Sequence, residues 1–145
     1  MVENSDVVKK ILTSVLNISG RKTSQEHAVA VMDSLLKKLE KRYVFLKNIK
    51  VQDTRFIEEG DSVSVMSELN SVSGGKVGEA IRDVISMMNH SLGKDAGYFF
   101  IKEISKGIED EYQTTMKKDM GIDLGLMQLQ REVEEMEKSM ISSKK

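Results

Sequence analysis

Apolar residues recur three and four positions apart through most of this chain, and proline is absent from it. That spacing places apolar side chains along one face of a helix, and proline is the residue that most often interrupts one. The first stretch covers residues 8–16 and predicts a helix that is capped by Asn4 or Ser5 and ends near Gly20. The chain is therefore expected to be predominantly helical.

A second stretch, over residues 29–39, predicts a long amphipathic helix that ends near Arg42. Thr23 and Glu26 precede it with the spacing of a capping box, in which each side chain accepts a hydrogen bond from a backbone N–H that the first turn leaves free. We expect this pair to start the second helix.

The pattern changes at residues 43–51, where β-branched and aromatic residues are frequent and the sequence ends in alternation. These features favour a strand. Residues 58–61 are turn-forming types, and residues 62–66 alternate polar with apolar as a half-buried strand does. We expect an antiparallel hairpin with Phe56 and Ile57 folded back over it.

Helical spacing returns in the second half of the chain. Residues 73–75 form a break, and residues 77–88 trace a third helical face that Gly93 is placed to end. Asp95 can cap a fourth helix, and Gly121 suits the left-handed residue that closes it. The predicted stripe of that fourth helix consists of Tyr98, Ile101, Ile104, Ile108 and Tyr112.

From residue 122 onward the apolar spacings alternate four, three, four, three and four. This is the spacing of a coiled-coil seam, although fewer than three heptads are present. A terminal helix packed on its own domain and a helix paired with another chain both fit the pattern. The positions concerned are Ile122, Leu126, Leu129, Val133, Met136 and Met140.

Together these elements predict an α+β, predominantly helical fold in the order helix, helix, hairpin, helix, helix, helix, with a long amphipathic C-terminal helix. At 145 residues the chain has the size of one domain, which we place at residues 1–141, with 142–145 as a frayed tail. A two-stranded hairpin is marginal alone, so it must lie on helices or pair with a hairpin of another copy. Dimer formation would meet that need.

The absence of cysteine excludes disulfides, thiolate metal sites and a cysteine nucleophile. The polar, acidic start of the chain lacks the pattern of a signal peptide, and no stretch reaches the ~18 apolar residues of a membrane span. We therefore expect a cytoplasmic protein with no membrane contact.

No catalytic or cofactor-binding motif is present in the sequence. The two histidines, His27 and His90, lie on different predicted helices and neither belongs to a close-spaced ligand pair. We expect no enzymatic activity, no cofactor and no metal. His90 suits the end of a helix, where the helix dipole favours its charged form, and a role as phosphoryl acceptor in signalling stays open.

Two sets of basic residues are candidate binding sites. The region between residues 37 and 55 is rich in lysine and arginine and could follow phosphates, although the net charge of −1 argues against a nucleic-acid binder. Glycine turns that precede helices could hold an anion beside a lysine. The basic set is Lys37, Lys41, Arg42, Lys47 and Lys50, and the anion or ligand set is Lys76, His90 and Lys94.

We expect a non-enzymatic, homodimeric protein-interaction or signalling-output module that acts through its C-terminal helices. One alternative is a binder of nucleic acid or of an acidic partner through the basic region, and nucleic acid is the less favoured partner. Another alternative is a sensor of a small anionic ligand. The predicted interface residues are Ile104, Ile108, Tyr112, Leu126, Leu129, Val133, Met136 and Met140.

Overall fold

The computed structural model describes residues 3–52 and 62–143, and the predominantly helical α+β architecture is confirmed there. Its elements follow in the order α1 (Asn4–Lys22), α2 (Gln25–Glu40), a first 3₁₀ helix (Val44–Asn48), β1 (Ile49–Val51), β2 (Val63–Val65), a second 3₁₀ helix (Ser67–Ser71), α3 (Gly74–Ser91), α4 (Gly93–Gly97), α5 (Phe100–Lys106), α6 (Asp110–Asp119) and α7 (Leu124–Ser143).

Helix α1 is the central element, because α2, α3, α5, α6 and β2 all contact it. Its apolar residues from Val7 to Ile18 are buried. The predicted caps are wrong, since the helix begins at Asn4 after Glu3 and continues past Gly20. The Asn4 side-chain amide instead donates to the carbonyl of Val72 at 3.4 Å. Tertiary contacts thus take over the role expected of a local cap.

The corner between α1 and α2 is displaced by one residue from the predicted capping box. Ser24 is the N-cap of α2, and its hydroxyl oxygen accepts from the backbone N–H of His27 at 3.1 Å. Thr23 belongs to the end of α1, where its hydroxyl donates to the carbonyl of Ser19 at 2.9 Å. Two neighbouring hydroxyl residues can each cap, and α1 takes the first of them because it runs longer than predicted.

The segment predicted as one strand is mostly a 3₁₀ helix. Only Ile49–Val51 is strand, and Val44–Asn48 turns with about three residues per turn. Tyr43, Leu46 and Ile49 are all buried, three positions apart, which is the spacing that a 3₁₀ helix directs to one side. The burial of this face outweighs the strand preference of its β-branched and aromatic residues.

The antiparallel hairpin is confirmed at its two strands. Ile49 pairs with Val65 and Val51 pairs with Val63. Ile49 and Val63 are buried, so the short sheet lies on the helices. The predicted turn at residues 58–61, with Phe56 and Ile57, lies outside the described residues.

The glycines at the start of α3 let another part of the backbone approach closely. A Cβ atom at Gly74 would lie 2.3 Å from the carbonyl oxygen of Asp119, and one at Gly78 would lie 1.7 Å from that of Met120. Both distances are far below van der Waals contact. The turn that leads into α7 therefore packs closely against the N-terminal half of α3.

Three short helices, α4, α5 and α6, replace the single fourth helix that was predicted. The chain leaves helical geometry at Phe99 and again at Gly107. Asp95 lies inside α4 and caps nothing. The Gln113 side chain stabilises the second break. Its amide nitrogen donates to the carbonyls of Ser105 at 2.8 Å and Ile108 at 2.9 Å.

Glycine has the predicted conformational role at two corners. Gly93, after α3, has φ of +80°, and Gly121, after α6, has φ of +69°. Other residues adopt this left-handed region at a cost, which explains glycine at both places. Gly97 allows close packing, since a Cβ there would lie 2.8 Å from the carbonyl oxygen of Asn89.

Among the described helices, none has both the length and the apolar character needed to cross a membrane.

Candidate interaction site

Helix α7 directs five of its large apolar residues away from the rest of the molecule. The side chains of its heptad positions are 43 to 62% exposed, which is unusual for residues of this size. We call these residues the α7 stripe; they are Leu126, Leu129, Val133, Met136 and Met140. Their spacing is that of the a and d positions of a coiled coil, so they follow one line along the helix.

The opposite face of α7, which contacts the domain, is polar. Gln128, Arg131 and Glu135 are each only 6% exposed. The Gln128 amide donates to the carbonyl of Tyr98 at 2.8 Å, and its oxygen accepts from the backbone N–H of Lys102 at 3.1 Å. A single glutamine thus attaches α7 to the segment between α4 and α5.

Further along α7 the buried polar side chains have long ion-pair distances and incomplete hydrogen bonding. Arg131 lies 3.4 Å from Glu135 and 3.8 Å from Glu134. Within the described part of the chain, Arg131 Nε, Glu135 Oε2 and Asn89 Oδ1 are buried without a hydrogen-bond partner. Burying charged groups costs free energy unless their contacts are well formed. This face therefore holds α7 less firmly than an apolar face would.

The N-terminal end of α7 is anchored by apolar contacts. Ile122 and Leu124 are buried in the core, and Met127 is half-buried against it. Ile122 was assigned to the heptad seam, but it precedes the helix and points inward. The exposed seam therefore begins at Leu126.

Three of the predicted interface residues are placed elsewhere. Ile104 and Ile108 are fully or almost fully buried in the core, and Tyr112 is half-buried against it. Ile104 and Ile108 cannot offer surface to a partner without unfolding the domain, so their assignment to the interface is corrected, whereas Tyr112 keeps part of its surface. Their spacing was that of a helical face, and that face is turned toward α1.

Acidic residues flank the α7 stripe on both sides. Glu132 occupies the position before Val133, and Glu137 the position after Met136. In heptad terms these are g and e positions, which meet the partner's flanks when helices pair. The stripe is therefore an apolar line with negatively charged borders.

A second feature of the surface is an open cleft of about 340 Å³ between α2, the first 3₁₀ helix and β1. Its apolar lining comes from residues of all three elements, Leu36, Leu46, Ile49 and Val51. Its charged lining residues are Asp33, Lys37, Glu40, Lys47 and Lys50. We call this the lysine-rimmed cleft.

The structure brings three of the five basic candidates to this cleft. Lys37 is paired with Asp33 at 2.9 Å, whereas Lys47 and Lys50 are exposed and form no ion pair within residues 3–52 and 62–143. Arg42 lies apart, above the Tyr43 ring at 5.3 Å. Lys41, also exposed, does not line the cleft.

Tyr43 faces the interior and cannot act as an exposed stacking surface. Its hydroxyl donates to Asp83 Oδ2 at 2.9 Å. Burial, together with this hydrogen bond, raises the pKa of Tyr43. Phe45, the neighbouring aromatic residue in the basic region, is half-buried against the core.

The anion candidates do not converge. Lys76 and His90 lie at opposite ends of α3, fourteen residues apart, which is about 21 Å along a helix. Lys94 is exposed on α4, and Lys76 lies 4.0 Å from Glu79. Lys76 and the pair at the α3 corner therefore cannot bind one small anion together.

His90 borders a small pocket of about 90 Å³ that Asn89 and Arg131 also line. Its Nδ1 lies 2.8 Å from the carbonyl of Ser86, so this nitrogen carries the proton and donates. In the described part of the chain no group of histidine and carboxylate side chains could hold a metal ion. His27 is exposed at the start of α2.

Sequence reasoning did not identify the exposure of Phe99 and Val44. Phe99 is half-exposed beside Tyr98, the residue whose carbonyl binds Gln128, and Lys102 Nζ lies 5.8 Å from its ring centroid. Val44, exposed on the first 3₁₀ helix, lies three residues before Lys47 and so on the same side of that helix. Neither residue fits a helical or alternating pattern that would have identified it.

Comparison with protein-family models, with curated proteins and with solved structures finds no match to this chain.

Proposed function

We propose that this protein is a non-enzymatic protein-interaction module that forms a homodimer through the α7 stripe. The observation that carries the proposal is the direction of α7, which buries Gln128, Arg131 and Glu135 and leaves the five residues of the α7 stripe half-exposed or more. Exposed apolar patches of this kind on otherwise ordinary domains mark interaction surfaces. Heptad spacing further suits a helix that packs lengthwise on another surface.

A second copy of the chain is the partner that the charges favour. The stripe has acidic borders, and the same chain carries a partly apolar cleft at which Lys47 and Lys50 form no ion pair with the described residues. The chain is close to neutral overall, with a net charge of −1, so its copies do not repel one another strongly. Complementary surfaces are thus available without a second kind of protein.

The rival functions have less support. Nucleic-acid binding would use exposed aromatic rings, but Tyr43 is buried and Phe45 half-buried. Sensing of a small anion would need convergent donors, and Lys76 lies about 21 Å from His90 along α3.

The test is the molar mass in solution. It is measured by light scattering at protein concentrations from about 1 µM to roughly a hundredfold higher. We expect a mass that approaches two chains for the native protein. Val133→Asp should give a mass of one chain throughout, because it places a charge at the centre of the stripe. Met66→Asp is the matched control, since Met66 is half-exposed but lies outside α7 and the cleft lining.

The control should dimerise like the native protein. A native mass of one chain over the whole range, or a Val133→Asp variant that remains dimeric, would show that the stripe does not mediate self-association. Circular dichroism checks that both variants are folded, and neither substituted side chain is part of the core.

A further inference from the structure

We infer that the α7 stripe of one copy docks into the lysine-rimmed cleft of a second copy. The stripe of the second copy docks into the cleft of the first in the same way, which is what we call reciprocal exchange. This inference rests on the proposed self-association and names the surface that receives the stripe. No residue of α7 lines the cleft of its own chain, so the cleft is open to a helix from elsewhere.

The charges of the two surfaces are complementary. Glu132 and Glu137 border the stripe, while Lys47 and Lys50 at the cleft have no ion pair in the described part of the chain. Of the acidic residues at the cleft, Asp33 is already paired with a lysine. The other acidic residue among the described lining residues is Glu40, so these lining residues together keep a net positive charge that matches the acidic borders.

Pairing of one α7 with another lacks this match. In a parallel coiled coil, Glu132 of one helix would face Glu137 of its partner, at a g and an e position. In either orientation no lysine or arginine lies at the borders of the stripe between residues 126 and 140, because Arg131 is buried and Lys138 lies on the far side of the helix. Stripe-to-stripe contact therefore joins surfaces of like charge.

The size of the contact also favours exchange. Covering a large apolar side chain that is already about half-buried removes only part of its surface from water. Five of them therefore provide less than the ~800 Å² per partner of a standard interface. Reciprocal docking forms two such contacts and adds the lining of both clefts. It also closes the assembly at two copies, whereas one-way docking would form open chains.

The apolar surfaces match as well. The cleft floor is formed by buried Leu36, Leu46 and Ile49, and its volume of about 340 Å³ accommodates side chains of the stripe. Exposed Val44, on the same side of the 3₁₀ helix as Lys47, extends this surface. The cleft thus offers apolar contact and positive charge together.

The decisive experiment compares two charge-reversed chains with a control. The first variant, Lys47→Glu with Lys50→Glu, has an acidic cleft and an acidic α7. The second, Glu132→Lys with Glu137→Lys, has a basic cleft and a basic α7. We expect each alone to dimerise on the order of a hundredfold more weakly, because attraction becomes repulsion at both contacts. Mixed in equal amounts they should form a heterodimer, since each α7 then meets an oppositely charged cleft.

The control variant is Lys38→Glu with Lys41→Glu, which makes the same change of net charge at exposed residues that do not line the cleft. It should dimerise like the native protein. All positions reversed at the cleft are exposed, so folding is expected to persist and is checked by circular dichroism.

Three results would overturn the inference. One is native-like dimerisation of Lys47→Glu with Lys50→Glu while Val133→Asp is monomeric, which leaves the proposed self-association intact but places the stripe on another surface. Another is a mixture of the two reversed chains that stays monomeric. The third is a native mass that keeps rising above two chains with concentration, which contradicts reciprocal exchange.

Discussion

Substitution of Gly78 by alanine tests the close packing that directs the chain into α7. A Cβ at this position would lie 1.7 Å from the carbonyl oxygen of Met120, well inside the contact distance of the two atoms. That oxygen belongs to the backbone, so a side chain cannot move aside to make room. To relieve this contact, the two backbone segments would have to move apart by roughly 1 Å or more. This is a backbone shift of the kind that over-packing causes.

The expected magnitude follows from two opposing effects. Over-packing a tight contact costs about 3 kcal/mol at the upper end of its usual range. Replacing glycine by alanine inside a helix returns about 1 kcal/mol. We therefore expect Gly78→Ala to lower the free energy of unfolding by about 2 kcal/mol, or the melting temperature by roughly 4–8 °C for a domain of this size.

Gly75→Ala is the matched control, three residues earlier in the same helix. A Cβ there meets nothing within 4 Å, so only the gain in helix propensity remains. This variant should be more stable than the native protein by about 0.5–1 kcal/mol. Urea unfolding followed by circular dichroism measures both changes. A Gly78→Ala variant as stable as Gly75→Ala would show that α3 and the turn before α7 are not in close contact.

Three further predictions concern α7, Tyr43 and salt. Gln128→Ala should destabilise the protein by about 1 kcal/mol and speed amide exchange in α7, because two part-buried backbone groups lose their partner; exposed Gln130→Ala should change neither. The raised pKa of Tyr43 means that its contribution to stability is complete below its ordinary pKa of 10.0 and is lost as the pH rises through the higher value in the folded state. Stability should thus fall above pH ~10, and Tyr43→Phe should remove part of that fall; an unchanged alkaline profile would contradict the role of its bond to Asp83. Dimerisation should weaken as salt rises from 0.05 to about 0.5 M, because screening acts on exposed charge pairs, and a salt-independent mass would count against charge-guided docking.

Long periodic stretches could be predicted from the sequence, and short elements could not. α1, α2, α3 and α7 each carry an apolar face over several turns, which a local pattern specifies. The region after α4 carries the same spacing, yet it breaks at Gly107, where Gln113 satisfies the freed carbonyls from a later helix. That contact is tertiary, and no local pattern records it.

The predictions of the helix starts and of a strand over residues 43–51 were wrong for a related reason. Ser5 was a reasonable cap by residue type, but its backbone N–H donates to the side chain of Asn70, sixty-five residues away. Tyr43, Leu46 and Ile49 were read as part of a strand, and only their common burial reveals a period of three. Competing local preferences are decided by what the rest of the chain supplies.

The α7 stripe was assigned to an interface, although the heptad pattern alone does not fix its direction. A heptad pattern states that residues share a face, and it does not state whether that face meets the same chain or another. Gln128, Arg131 and Glu135 also lie three and four apart, and polar residues with that spacing would ordinarily be assigned to the solvent side. The cleft could not be predicted from the sequence either, because α2 and β1 meet there only after folding.

The position of α1 has a consequence for synthesis on the ribosome. Its apolar residues are buried by elements as distant as α5 and α6, about 80 to 100 residues later in the chain. At ~5–20 residues per second, several seconds to some twenty seconds pass between the emergence of α1 and that of its last partners. During that interval α1 can be covered by α2, the hairpin, the second 3₁₀ helix and α3 as they emerge, but not yet by α5 or α6. A nascent chain stalled before α5 should therefore be a strong ligand for chaperones, and a chain released after α6 should not.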